Sequence, residues 1–317
     1  MSNLGEPKAL NVLNKKVMKN ITQIIILLFI SFFNFLKAQD ANNDKTYYTH
    51  YIMLDSLKNT YGNNVINKFT LNTKNLYGVD KNIEVYNVLY KESILLISAL
   101  PNLTKGKNWV KIDIDSDIVR TKILSKKQLK DFISEREVSN TSDKKTLQYG
   151  LIIKKNGVYY VPKTTLIEYF NIGSYTSPLI SSYGTISINE NLVTIRDMEK
   201  SYKRQIPDGG FPLDIKYFRS TFNYTVYARN YISKKYTIKD EKAYQFWTLD
   251  SWRIFDDYNQ YRGIDRFVYI PNKGIVGGSY DFYFYFLQHY MSDITPFINK
   301  LWDNILNEKI IIAEELK

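Results

Sequence analysis

Leu147–Val161, LQYGLIIKKNGVYYV, is the stretch on which the reading of the fold turns. Leu147–Ile153 and Val158–Val161 are apolar-rich runs on either side of Lys155-Asn156-Gly157. Asn-Gly is the strongest short hairpin signal, because both turn positions need positive φ. A hairpin this tight predicts antiparallel β structure for the carboxy-terminal half, and the pattern recurs downstream. Thr185–Ile188 and Leu192–Ile195 around Asn189-Glu190-Asn191 predict a second hairpin, and Asn223–Ile232 and Tyr236–Ile238 predict two more strands. Arg266–Ile270 and Ile275–Val276 flank Pro271-Asn272-Lys273-Gly274, with Pro and Gly where a four-residue turn wants them. Gly277-Gly278 then lets the chain bend or bulge before a strand over Ser279–Leu287. In that strand Tyr280, Phe282, Phe284 and Phe286 would face the core, with Asp281, Tyr283, Tyr285 and Leu287 opposite.

Working back toward the amino terminus, the patterns are more mixed. Tyr47–Tyr61 carries Tyr51, Met53, Leu54 and Leu57 and ends at Gly62, which predicts a helix with a glycine stop. Ile83, Val85, Asn87 and Leu89 alternate with polar neighbours, and after Lys91-Glu92 the run Ser93–Leu100 is nearly all apolar. That is a half-buried strand beside a central one. Trp109–Ile114 alternates as a further strand, and Lys126–Glu135 is an amphipathic helix capped by Ser125, with Leu129, Phe132 and Ile133 on one face. At the far end Ile294, Phe297, Ile298, Leu301, Trp302, Ile305 and Leu306 recur at steps of three and four behind Thr295-Pro296, the clearest helix in the chain, with Asn304 on its opposite side.

The expected fold class is therefore α+β, mainly antiparallel β, with a smaller mixed amino-terminal part and a carboxy-terminal amphipathic helix. Glu135–Lys145, EREVSNTSDKK, is polar and nearly free of packing residues. It is the best candidate boundary between a mixed α/β part, 45–138, and a β-rich part, 146–317. A long surface loop inside one domain is the other reading.

Residues 1–38 read as an export signal. Lys15, Lys16 and Lys19 precede the apolar run Ile21–Leu36, and Ala38 stands before the expected cut, with Gln39 as the first mature residue. Met18 is the better start, since MKN plus the apolar run makes an ordinary signal. The apolar core is shorter than the roughly 20 residues of a bilayer span, so a cleaved signal is preferred to a retained anchor. The expected location is periplasmic, envelope-associated or secreted. With no cysteine the chain has no disulfide, thiol nucleophile, thiolate metal site or lipid-anchoring cysteine. Taking residues 1–38 from the 317 leaves 279, enough to bury a core without staples, and lowers the 43 basic and 32 acidic residues to 38 and 31. No block of five like charges occurs, so the expectation is no nucleic acid partner and membrane contact only through the amino-terminal signal or anchor. Abundant Tyr, Phe, Ile, Asn and Lys together mark an AT-rich coding sequence, which explains much of the basicity.

Most chemistries leave no mark. His50 and His289 are the two histidines, far apart and outside any HExxH, and no GxSxG, GxxxxGK[ST] or GxGxxG motif is present. The expectation is no metal and no cofactor. Two stretches stand out. Gln205–Pro212 is a loop punctuated by glycine and proline around Asp208. Phe246–Arg262, FWTLDSWRIFDDYNQYR, gathers Trp247, Trp252, Tyr258 and Tyr261 with Asp250, Asp256, Asp257, Arg253 and Arg262. Ring faces beside carboxylates suit sugar binding. The plainer alternative is that the rings are core and the charges solvated. The functional expectation is an exported, non-catalytic binding or envelope-interaction protein whose ligand is an envelope molecule. The rival is a hydrolase of a glycan or other envelope polymer, working through two facing carboxylates about 5–10 Å apart drawn from Asp208 and Asp250–Asp257.

Overall fold

The computed structural model describes residues 48–60, 62, 64–104, 106–139, 144–175, 183–205, 207, 229–249, 263–286 and 295–317. Met1–Thr46 and Tyr47–Lys317 are separate compact units. The first, with Ile21–Leu36, lies outside the described residues. The second is mostly antiparallel β with few helices.

In chain order its strands are β1 (His50–Met53), β2 (Val65–Asn72), β3 (Asn82–Tyr90), β4 (Ser93–Leu100), β5 (Trp109–Lys111), β6 (Lys145–Thr146), β7 (Tyr149–Lys155), β8 (Val158–Pro162), β9 (Thr164–Ile172), β10 (Thr185–Ile186), β11 (Arg229–Ile238), β12 (Glu241–Leu249), β13 (Arg266–Ile270), β14 (Gly274–Ser279) and β15 (Ile311–Ile312). The helices are α1 (Leu54–Lys58), α2 (Lys74–Tyr77), α3 (Asp117–Arg120), α4 (Lys126–Val138), α5 (Ile195–Gln205), α6 (Asp281–Phe286) and α7 (Thr295–Leu306). The described strands form three sheets, ordered β1-β7-β8-β5, then β10-β9-β4-β3-β2 with β6 also on β9, then β11-β12-β13-β14-β15.

β4 explains the layering. All eight of its residues, SILLISAL, are buried. Ile94, Leu96 and Leu100 join Val85, Leu166 and Phe170 in one core, closed from the other side by Phe246, Phe267 and Ile275 of the third sheet. Leu95 and Ile97 join Val88 and Ile167 in a second core, closed by Leu129, Phe132 and Ile133 of α4 and by Ile52 and Leu151 of the first sheet. A strand covered on both faces loses its polar alternation. Polar residues in these cores are satisfied across layers: the side chain of buried Asn87 donates to the Ile275 carbonyl at 2.9 Å and accepts the Ile275 N–H at 2.7 Å.

Local signals fared well where they were strong. Asn156 and Gly157 have φ of 49° and 80°, and β7 and β8 pair antiparallel across them. Ser125 forms a full capping box with Gln128 at the start of α4.

Several expectations need correction. Tyr47–Tyr61 is not one helix: His50–Met53 is a strand parallel to β7, and only Leu54–Lys58 is helical. Neighbouring Tyr51 and Ile52 are buried in different cores, as side chains on opposite faces of a strand between layers are. Thr185–Ile195 is not a hairpin: β10 runs parallel to the end of β9, and the Val193 N–H donates to the Ile232 carbonyl at 2.8 Å before α5 begins. The start of α5 is marked by Thr194, whose hydroxyl accepts the Asp197 N–H at 3.0 Å while Asp197 accepts the Thr194 N–H at 3.2 Å. Arg229–Ile238 is one strand with a bulge rather than two, and 223–228 lie outside the described residues.

Nor do Tyr280–Phe286 form the expected strand, and Leu287 lies outside the described residues. β14 continues through Gly277 and Gly278 to Ser279, and Asp281–Phe286 is helical. The expected irregularity is there, since Tyr269 pairs with Ile275 and Val268 with Gly277, which leaves Val276 as an extra residue. The glycines also allow close approach, as a Cβ at Gly277 would sit 2.5 Å from the Ile311 carbonyl oxygen and one at Gly278 would sit 2.7 Å from that of Arg266. Asn304, expected on the outer side of the last helix, is buried, and its amide donates to the Leu76 carbonyl at 3.4 Å.

The boundary at Glu135–Lys145 does not separate two bodies. β1 pairs with β7, β4 with β9 and β5 with β8, so three strand pairs join residues before it to residues after it.

Candidate functional site

The Lys239-Asp240 turn, with φ of 46° and 65°, folds β12 directly back on β11. Lys234 then lies opposite Gln245, and Tyr236 opposite Ala243, so these side chains share one sheet face. β11 is an edge strand of its sheet. The facing wall comes from the other end of the sequence. After α7 the chain reverses at Glu308, φ 51°, and runs through Lys309 and Ile310 into β15.

Between the two walls is an open groove of about 800 Å³. Its apolar lining is half-buried Tyr236, Ile238, Ile310 and Ile312 with buried Leu76 and Ile311, and its charged lining is Lys234, Glu308, Lys309 and Lys317. Glu308 holds the walls together. It is only 4 % exposed. Its Oε1 accepts the Ile195 N–H at 2.9 Å, its carbonyl accepts the Gln245 side-chain amide at 2.9 Å, and Oε2 lies 3.7 Å from Lys234 Nζ. The outer lysines are also paired, Lys309 with Asp303 at 2.6 Å and Lys317 with Glu314 at 2.5 Å. Burial lifts the Tyr236 phenol to about 12, so it enters the groove as a neutral donor and acceptor.

Of the nine residues singled out from sequence as a ligand surface, Trp247 alone is described, and it does not line the groove. Trp247 is 1 % exposed, its ring stacks on Tyr231 with centroids 4.8 Å apart, and its indole N–H donates to the Val193 carbonyl at 2.7 Å. Ring and N–H are both spent inside the fold, so Trp247 packs and does not present a ligand surface. Asp208, Asp250, Trp252, Arg253, Asp256, Asp257, Tyr258 and Tyr261 lie outside the described residues. His50 stacks on Tyr149 at 5.4 Å. Among the described residues no group of three or more His, Asp or Glu side chains could hold a metal ion.

No protein-family model matches the chain, and no curated protein or solved structure matches it. The site therefore has to be read from its own chemistry.

Sequence reasoning missed the groove because its two walls are some 70 positions apart. Tyr236–Ile238 was legible as a strand, but nothing local says which face it shares with Ile310 and Ile312. Glu308 in a left-handed reversal carries no signal, since asparagine or glycine is the usual residue there.

A second, smaller cavity of about 10 Å³ lies where β6, β9, β10, β11 and β12 meet, lined by Lys144, Lys145, Glu168, Tyr183, Gly184 and Arg229 among others. Lys144 is 1 % exposed. Burial lowers its amine from the usual 10.5 to about 8, with Glu137 acting in the opposite direction. The unfolded chain thus binds more protons than the folded one between those values, and stability contributed through this group rises as pH climbs from about 8 toward the ordinary lysine range. Lys144→Met removes that dependence. In chloride-free buffer, its melting temperature minus that of the wild type should fall steadily from pH 7.5 to 10. Tyrosine titrations are shared by both proteins and cancel. A difference constant across this range would show that Lys144 keeps an ordinary pKa.

Proposed function

We propose that the protein is an exported, non-catalytic binding protein of α+β fold, closed by its carboxy-terminal amphipathic helix. It holds an envelope ligand in the groove between β11 and the 307–312 segment. The groove itself carries this reading: an open trough of about 800 Å³ is the size of a ligand site, and it pairs an apolar floor with a few placed polar groups. Each charged side chain lining it sits in an ion pair, of Lys234 with Glu308, Lys309 with Asp303 and Lys317 with Glu314. Paired charges suit recognition, where orientation matters, better than proton transfer, where a carboxylate or amine has to be poised to exchange its proton. The ligand that fits has an apolar face or ring for Tyr236 and Ile238 and hydroxyl or anionic groups for the lysines. Delivery by the segment at 1–38, with a mature start near Gln39, supports an envelope location.

The test is an array of envelope glycans and peptides probed with wild type, Tyr236→Ala and Ile238→Ala. Both residues are half-buried on an edge strand, so the variants should melt within a few degrees of wild type. Binding to wild-type hits should fall about tenfold, roughly 1.4 kcal/mol. Undiminished binding by both variants would remove the groove from the account. Cleavage of arrayed material would favour the hydrolase.

A further inference from the structure

We propose that the occupant of the groove is an extended peptide segment of another protein, alternating apolar and acidic residues, which docks as an added strand on the open edge of β11. This rests on the binding role proposed for the groove and names the class of its ligand.

The hairpin decides which backbone groups of β11 are spent. Across the two-residue turn at Lys239-Asp240, Ile238, Tyr236 and Lys234 face Glu241, Ala243 and Gln245. In such a hairpin the pair next to the turn, and every second pair beyond it, exchange their hydrogen bonds. Lys235 and Thr237 therefore turn their N–H and C=O groups to the open side. The register shifts between Ile232 and Lys234, and beyond that bulge the outward carbonyls are those of Ile232 and Asn230. Both are taken, by the Val193 N–H at 2.8 Å and by the Tyr175 hydroxyl. The fold thus covers its own edge as far as Ile232 and stops. Lys235 and Thr237 are exposed, and among the described residues nothing bonds to the N–H or C=O of either. A short row of main-chain donors and acceptors is left for a partner strand, which is what strand addition uses.

Side chains select the partner. Tyr236 and Ile238 stand on the groove face, with Ile310 and Ile312 across from them. Thr237 alternates to the other face yet also lines the groove, so the groove reaches round to the strand edge. An added strand alternates in step with β11: every second side chain enters the groove beside Tyr236 and Ile238, and the others fall beside Lys235 and Thr237. On that second face Lys235 and Lys242, which lies opposite Thr237, are exposed, and neither has a carboxylate partner among the described residues. The other charges of the hairpin are Lys239, whose amine donates to the Glu315 carbonyl at 3.1 Å, Asp240 in the turn, Glu241 paired with Lys273, and Lys234 paired with Glu308. Acidic side chains on the outer face of the added strand meet Lys235 and Lys242. A second copy of β11 would set lysine against lysine, which argues against self-pairing.

The test is fluorescence anisotropy of labelled octapeptides titrated with the whole protein. The alternating Val-Glu peptide should bind saturably, and the Val-Lys peptide and a fully N-methylated Val-Glu peptide about tenfold or more weakly. Thr237→Pro removes one outward N–H and no internal hydrogen bond, so it should melt within a few degrees of wild type and lose the Val-Glu peptide by about tenfold. Lys235→Glu combined with Lys242→Glu leaves the backbone edge intact. It should reverse the preference to Val-Lys, and it serves if the proline variant does not fold. Glycans that bind wild type and not Tyr236→Ala, with no peptide bound, would overturn the added strand and keep the groove. An empty array and no peptide binding would overturn both. Equal binding of the Val-Glu and Val-Lys peptides, or Val-Glu binding unchanged in a folded Thr237→Pro, would overturn the strand alone. A wild-type dimer in sedimentation that Thr237→Pro abolishes would put a second copy on the edge instead.

Discussion

Asp281→Asn and Arg266→Met should each cost the fold about 3–5 kcal/mol, among the largest effects available from single changes in this protein. Both residues are at most 2 % exposed, and Arg266 Nη1 lies 2.5 Å from Asp281 Oδ2. The remaining guanidinium donors, Nε and Nη2, both reach the Lys309 carbonyl, at 3.1 and 2.9 Å. On the other side the Tyr77 hydroxyl donates to Asp281 Oδ1 at 3.1 Å and accepts the Tyr280 N–H at 2.6 Å. Burial alone would lower the Arg266 pKa, but the Asp281 carboxylate outweighs it and raises it. Burial first and Asp281 second push the Tyr77 phenol well above its usual value. One ion pair thus joins β13, α6, α2 and the segment entering β15. Removing either member strands the other charge in the core. Urea unfolding of the singles and of Arg266→Met combined with Asp281→Leu checks this. The double variant should recover much of the loss, because a buried pair contributes little over an apolar replacement. Singles that cost under about 1 kcal/mol, or a double that costs their sum, would contradict the account.

Trp247→Ala should also cost about 3–5 kcal/mol, through a cavity beside Tyr231 and loss of the hydrogen bond to Val193. Trp247→Phe keeps most of the ring and should cost less. Thermal melts separate this from a binding role. A Trp247→Ala protein that melts with wild type but fails on the array would return Trp247 to the site.

What the sequence disclosed was local. Ser125 as a helix cap, Asn156 with Gly157 and the uninterrupted SILLISAL run each carry their own physics within a few positions, and each has its expected form. Tyr280–Phe286 failed for the opposite reason. Alternating aromatics fit a strand, but the turn into α6 is set by Asp281 meeting Arg266 fifteen positions away. Gly277-Gly278 was legible as a departure from regular strand, while its cause, the approach of Ile311 and Arg266, was not. The polar run before Lys145 looked like a linker because strand pairing across it is invisible to composition. In the same way, tryptophan and tyrosine density drew attention to Phe246–Arg262. Its described part, Phe246–Leu249, is core strand, and the groove is assembled from half-buried residues of ordinary composition.

The central claim is that ligand sits between β11 and the carboxy-terminal segment. Isoleucine-methyl NMR of the whole protein, titrated with the strongest array ligand, tests it most directly. Ile238, Ile310 and Ile312 line the groove, and their methyl resonances should shift together and saturate at the ligand's binding constant, while those of buried Ile94 and Ile97 stay still. Saturable shifts elsewhere, with those three unmoved, would contradict it.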